Sequence, residues 1–201
     1  VQTCALPISV TMSHMSATAS FADKNVGSGK TVNIAGITIS GTDSGNYTLT
    51  QPTPTANITA KTLTVTGITA SNRVYDATIS ATGLLSYGSA ALQGTETGDT
   101  VTLDTTQIAA VFLNKNVGTG KSVVVSGLTI GGTDSGNYSL TQPTTTANIT
   151  AKTLTVSGIT ASTKVYDGTT TATVDTTSAA LVGPENSDTV TLVTGSRSEE
   201  H

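Results

Sequence analysis

The 201-residue sequence is short of most residues that catalysis and disulfide-built folds depend on. Cysteine occurs once, at Cys4, so no disulfide can form within the chain. Histidine occurs only at His14 and His201, tryptophan is absent, and aromatic residues make up 3%. No Cys–His, Ser–His–Asp or metal-spaced constellation can be assembled from this set, and the reading expects no enzyme and no catalytic residues. Charge is equally sparse. Only 11% of residues are charged, and 13 acidic against 9 basic side chains give a net charge of −4. Nucleic acid, whose phosphates call for clustered Lys and Arg, is therefore not expected as a partner. No apolar run approaches the roughly 18 residues of a membrane-spanning helix, so no membrane insertion is expected of this segment.

What fills the chain instead is repetition. "GTDSGNYTLTQPTPTANITAKTLTVTGITAS" begins at Gly41, and "GTDSGNYSLTQPTTTANITAKTLTVSGITAS" begins 91 residues later at Gly132. "DKNVGSGK" at Asp23 and "NKNVGTGK" at Asn114 keep that offset, as do "NRVYDAT" at Asn72 and "TKVYDGT" at Thr163. "DTVTL" at Asp99 returns 89 residues later at Asp188, so one intervening loop is two residues shorter. A period of this length is a small domain, too long for one rung of a solenoid. The expected organisation is the back half of one repeat (10–60), a complete repeat (61–151) and the front half of a third (152–196). The ends stand apart. "VQTCALPI" at 1–8 and "RSEEH" at 197–201 resemble translated sequencing-library adapters, so 1–9 and 197–201 are set aside as artefact and the chain is read as a piece of a longer reading frame.

Within a repeat the pattern is one strand after another. In "KTLTVTG", Leu63 and Val65 alternate with threonine, the period-2 signal of a half-buried strand. In "TVNIAGITIS", Val32 and Ile34 share one parity and Ile37 and Ile39 the other, with the change at Gly36; "SVVVSGLTIG" repeats it around Gly127. A parity change across glycine predicts a bulge or a strand bend. Branched Thr and Val suit a pleated surface, and no window has a helical period. The expected fold class is all-β: tandem immunoglobulin-like β-sandwich repeats of about seven or eight strands. A β-grasp-like or other small β-rich repeat is the alternative.

The duplicated Asp-Ser-Gly-Asn-Tyr is read as a structural corner. A Tyr after an Asp-x-Gly-x turn resembles the tyrosine corner of immunoglobulin-like domains, whose hydroxyl bonds to backbone a few residues upstream. This singles out Asp43, Gly45 and Tyr47 in one copy and Asp134, Gly136 and Tyr138 in the other. Leu49 and Leu140 stand where antibody domains carry a cysteine. "VGSGKT" and "VGTGKS" imitate the end of a phosphate-binding loop, but Lys24 and Lys115 occupy the positions of its first glycine and a strand, not a helix, follows. They are read as glycine hairpins. The aspartates are scattered singly, without the spacing of a calcium loop. No cofactor is expected; structural calcium at a junction between repeats is the minor alternative.

"KVYDGTT" at Lys164, "KNVGTGK" at Lys115 and "DSGNYSLTQP" at Asp134 together resemble the YDG repeat of bacterial surface proteins, which occurs in tandem arrays in filamentous-haemagglutinin-like adhesins. The resemblance marks Tyr75 and Asp76, and Tyr166, Asp167 and Gly168, as the turn that gives the repeat its name. It implies a secreted or cell-surface location and a stalk or spacer that projects a distal binding domain, with no catalytic residues carried over. Neighbouring repeats are the expected partners. Binding of a host glycan or matrix protein by the repeats themselves, or an accessory role beside an exported enzyme, are the alternatives. Where "VYDGT" becomes "VYDAT", a left-handed turn would strain Ala77 by about 1 kcal/mol or more. The two partial repeats leave strand edges unpaired, which predicts head-to-tail association.

Overall fold

The computed structural model describes residues 9–193, so the adapter-like segments 1–8 and 197–201 lie outside the described residues. The described residues are all-β: short strands, three single-turn 3-10 segments at Ser44–Asn46, Thr82–Leu84 and Ser135–Asn137, and no α-helix. The chain divides into two compact units. One takes the residues up to Thr64 with Leu92–Leu103 and Thr129–Thr141; the other takes Val65–Ala91, Asp104–Leu128 and the residues from Gln142 onward.

In the second unit the long strand Gly118–Ser126 is the centre of a four-stranded sheet. Ala109–Phe112 flanks it on one side and Thr144–Thr150 on the other, both antiparallel, and Arg73–Val74 adds to the outer edge in parallel. Alternation decides which side chains face inward: Val123 and Val125 are fully buried, and Phe112, Ala147 and Ile149 nearly so. The first unit repeats this arrangement from the earlier copy. There Thr18–Phe21, Gly27–Ala35 and Thr55–Ile58 pair antiparallel, with Phe21 opposite Val32 as Phe112 is opposite Val123. The first unit also contains the parallel pairing of Lys61, Thr62 and Leu63, in the strand Lys61–Thr66, with Tyr138–Leu140. Leu63 is fully buried in that strand, and Leu140 lies opposite it, half-buried.

Residues 61–151 hold eleven short strands where seven or eight were expected, and one of the breaks is a bend at glycine. At Gly127 (φ 79°) and Gly36 (φ 81°) the chain ends one long strand and begins another with the opposite parity. A Cβ at Gly127 would collide with the Gln107 carbonyl, and one at Gly36 with that of Ser16. The parity change is therefore a bend. The bulges lie at the other ends of the same strands, where register shifts between Gly118 and Lys121 and between Gly27 and Lys30. This corrects the hairpin reading of "VGTGK". It is a bulged strand, held by Asn148 Oδ1 accepting the Gly120 N–H at 2.7 Å, as Asn57 accepts that of Gly29 at 2.8 Å.

Candidate repeat-to-repeat interface

Each letter of the Tyr-Asp-Gly signature has a separate physical task. Asp76 folds the loop: its Oδ1 accepts the Thr78 N–H and hydroxyl, both at 3.0 Å, and Asp167 does the same for Thr169. A cation fills the turn so formed. Arg73 donates to Asp76, to the Thr78 hydroxyl and to the Thr78 and Ser80 carbonyls, with its guanidinium 4.9 Å from the Phe112 ring centre. Lys164 replaces it in the third copy, donating to the Thr169 and Thr171 carbonyls. The third letter supplies a left-handed residue: Gly168 has φ 72°. Ala77, at the same place one copy earlier, has φ 60° and is the only non-glycine with positive φ among the described residues. Tyr75 lies instead against Lys115, whose ammonium is 5.7 Å from its ring centre.

The Asp-Ser-Gly-Asn turn of the duplicated "DSGNY" is built alike in both copies, a 3-10 turn at Ser44–Asn46 and at Ser135–Asn137. Ser135 Oγ donates to the Gly132 carbonyl at 2.8 Å and Asp134 accepts the Thr100 N–H at 2.9 Å; Ser44 and Asp43 match them on Gly41 and on the Ser9 N–H. The following glutamine clamps the backbone. Gln142 accepts from the Leu128 N–H and donates to its carbonyl, as Gln51 does for Ile37. Gly45 and Gly136 lie within the 3-10 turns with open space around them and without left-handed φ, so the turn does not demand glycine there. The hydroxyl of Tyr138 differs from the corner expected of it. It accepts the Glu96 N–H at 3.1 Å and donates to Asp99 at 2.7 Å, about forty residues away in sequence. The parallel pairing of Tyr138–Leu140 with Lys61–Thr66 aims the ring at that remote segment, which local sequence does not reveal.

These pieces meet where consecutive repeats touch. In the first unit, Lys24 of the first copy is paired with Asp99 of the second and lies 3.3 Å from Asp134. Beside it Asn137 Oδ1 accepts the Val26 N–H at 2.9 Å, and its amide reaches Asn25 Oδ1. In the second unit Lys115 of the second copy binds Asp188 of the third at 2.7 Å. Both pairs join the same two sequence positions one period apart. Within the second and third copies a further pair recurs, Lys61 with Glu96 and Lys152 with Glu185.

The electrostatics match the geometry. The Lys24 ammonium, followed by the Tyr138 hydroxyl, holds the Asp99 carboxyl below its ordinary value, while Asp99 and then Asp134 raise Lys24. The Thr100 N–H and then Lys24 lower Asp134, and the hydrogen bond to Asp99 raises the Tyr138 phenol. Asp188 is lowered by Lys115 and then by Tyr75, and Lys115 is raised by the same two groups in the order Asp188, Tyr75. These directions all favour the ionised forms of the paired groups, as the pairing itself requires. Among the described residues no three His, Cys, Asp or Glu side chains converge as a metal-ligand group, and no helix is long and apolar enough to cross a membrane.

The sequence reading places Tyr75, Tyr138 and Asp134 in turns and gives Lys24, Lys115, Asp99 and Asp188 no contact with one another. The signal was present: the "KNVG" and "DTVTL" motifs recur together in successive copies. The arrangement defines a class, tandem all-β repeats joined by a recurring contact. The chain belongs to the YDG domain family, whose model matches residues 8–56, 59–147 and 150–199. No curated protein and no solved structure matches the chain.

Proposed function

We propose that these repeats are the non-catalytic spacer of a large secreted or cell-surface bacterial adhesin of filamentous-haemagglutinin-like type, holding a distal binding domain away from the cell. The observation that carries this reading is the recurrence of the same lysine-to-aspartate contact at both repeat junctions, Lys24 to Asp99 and Lys115 to Asp188. A chain joined by equal contacts, with no Gly/Ser tether between copies, limits hinge motion where a flexible linker would allow it. In this reading each repeat is an immunoglobulin-like sandwich, supported by its many short strands and by the antiparallel set around Gly118–Ser126.

The test is to prepare arrays of two, four and six complete repeats and measure their largest dimension by small-angle X-ray scattering. A spacer gives a dimension that grows in proportion to repeat number. Growth closer to the square root of that number overturns the reading. Saturable binding of the same arrays to host glycans or matrix protein would make the repeats themselves the adhesive surface. A catalytic domain beside one or two repeats in the full reading frame would make them an accessory module.

A further inference from the structure

We propose that Arg73 is a latch: its guanidinium ties together the two edges of the sheet centred on Gly118–Ser126, and so keeps the edge at residues 78–81 from adding to the same edge of a second copy of this chain.

The segment that carries the signature turn serves both edges of that sheet. Ahead of the turn, Arg73–Val74 lies parallel to Thr144–Thr150, and the Tyr75 N–H extends the pairing by donating to the Thr150 carbonyl at 2.9 Å. Past the turn the chain runs along the opposite edge, beside Ala109–Phe112. There the Ala81 N–H donates to the Ala110 carbonyl and the Phe112 N–H to the Ile79 carbonyl, both at 2.8 Å, with Ser80 opposite Val111. The Thr82 hydroxyl fastens the end of this stretch by accepting the Ala110 N–H at 2.9 Å. Every one of these residues lies in the complete repeat.

In an antiparallel pair, alternate residues turn their N–H and C=O away from the neighbouring strand. Ile79 and Ala81 supply the bonds to Ala109–Phe112, so the Ser80 carbonyl faces outward, and that of Thr78 shares its parity. An outward row of this kind is a template for a strand of another molecule. Arg73 occupies it instead. Its Nη1 donates to the Ser80 carbonyl at 2.7 Å, and its Nη2 donates to the Thr78 carbonyl. To reach them the side chain passes over the Phe112 ring and is left 8% exposed. Burying a cation is costly unless its donors are used. The Arg73 Nε is buried without a partner in the protein, so the guanidinium is held by its two outer nitrogens. The third copy isolates what the position supplies. Lys164 donates to the carbonyls of Thr169 at 3.0 Å and Thr171 at 2.8 Å, the counterparts of Thr78 and Ser80. The side chain changes and the two acceptors do not.

The experiment is amide hydrogen exchange, read residue by residue by NMR, on the full 201-residue protein and on its Arg73→Leu and Arg73→Lys variants. In Arg73→Leu the Ala81 and Phe112 amides are expected to exchange at least about tenfold faster. The Val125 amide, bonded to the Pro143 carbonyl in the same sheet, is expected to keep its native rate, which also shows that the variant folds. Arg73→Lys, which copies the third repeat, is expected to keep native protection throughout. Sedimentation velocity on the same three proteins should give a larger average mass for Arg73→Leu than for the other two at equal concentration. Unchanged Ala81 and Phe112 exchange in Arg73→Leu overturns the latch, and so does an acceleration that Val125 shares equally. Faster exchange with no more association than in the native protein overturns the guarding of the edge. Array dimensions test the spacer reading and amide exchange tests this one, so either can fail alone.

Discussion

Lys115 and Asp188 lie 2.7 Å apart, and they belong to successive repeats. Both groups stay accessible to water, so the pair is screened and worth little alone; its value is positional, since it recurs one period earlier as Lys24 with Asp99. The lowered carboxyls of Asp99, Asp134 and Asp188 contribute stability that is complete above their unfolded pKa, about 3.9, and is lost as pH falls through their lower folded values. The raised Lys24 and Lys115 contribute stability that is complete below about 10.4 and is lost as pH rises through their higher folded values. Thermal melts against pH should give a plateau between these limits, falling away at both ends. Asp99→Asn should lower the plateau and flatten the acid limb, with a smaller effect in high salt. An acid limb of unchanged shape in that variant would assign the acid loss to other carboxylates.

Ala77 holds a left-handed conformation that its Cβ resists. Ala77→Gly should stabilise the protein by about 1 kcal/mol, and Gly168→Ala should destabilise the third copy by a similar amount. Urea midpoints report both, and a lowered midpoint for Ala77→Gly would contradict the strain assigned to the turn.

Two glycines in neighbouring motifs should respond oppositely to alanine. At Gly127 the new methyl meets the Gln107 carbonyl in a left-handed backbone, so the strand bend must shift. The expected cost is about 2 kcal/mol or more. Gly136 has open space and ordinary φ, so Gly136→Ala should be neutral or stabilising by about 0.5 kcal/mol. Equal losses for the two would show that the 3-10 turn is read wrongly.

Phe112 is the largest fully buried side chain among the described residues and lies under the Arg73 guanidinium. Phe112→Ala should cost about 3–5 kcal/mol, whereas its exposed counterpart Phe21→Ala should cost under about 1.5 kcal/mol. The comparison, made by chemical denaturation at low concentration, measures how much of a repeat's core forms in a partial copy.

The all-β class, the 91-residue period and the bend at Gly127 were legible because each rests on local pattern: alternation, recurrence and a parity change. The pairing of Tyr138 with Asp99 was not, because a parallel strand brings together residues that share no local pattern. The same limit explains why "NYTL" and "NYSL" are nearly one sequence, yet only the second is a strand. Its neighbour in space decides, and a period-2 signal says nothing of neighbours. Lys24 was weighed only as a departure from a phosphate-loop pattern, and that comparison gave it no task of its own.

The lysine of each "KNVG" motif reaches forward to the aspartate of the next "DTV", and every full period carries one of each. A gene that gains or loses one period therefore keeps all its joints, since whichever copies become adjacent present matching halves. Length in such a protein is free to drift by unequal recombination, in steps of one repeat, without any compensating mutation at the new boundary.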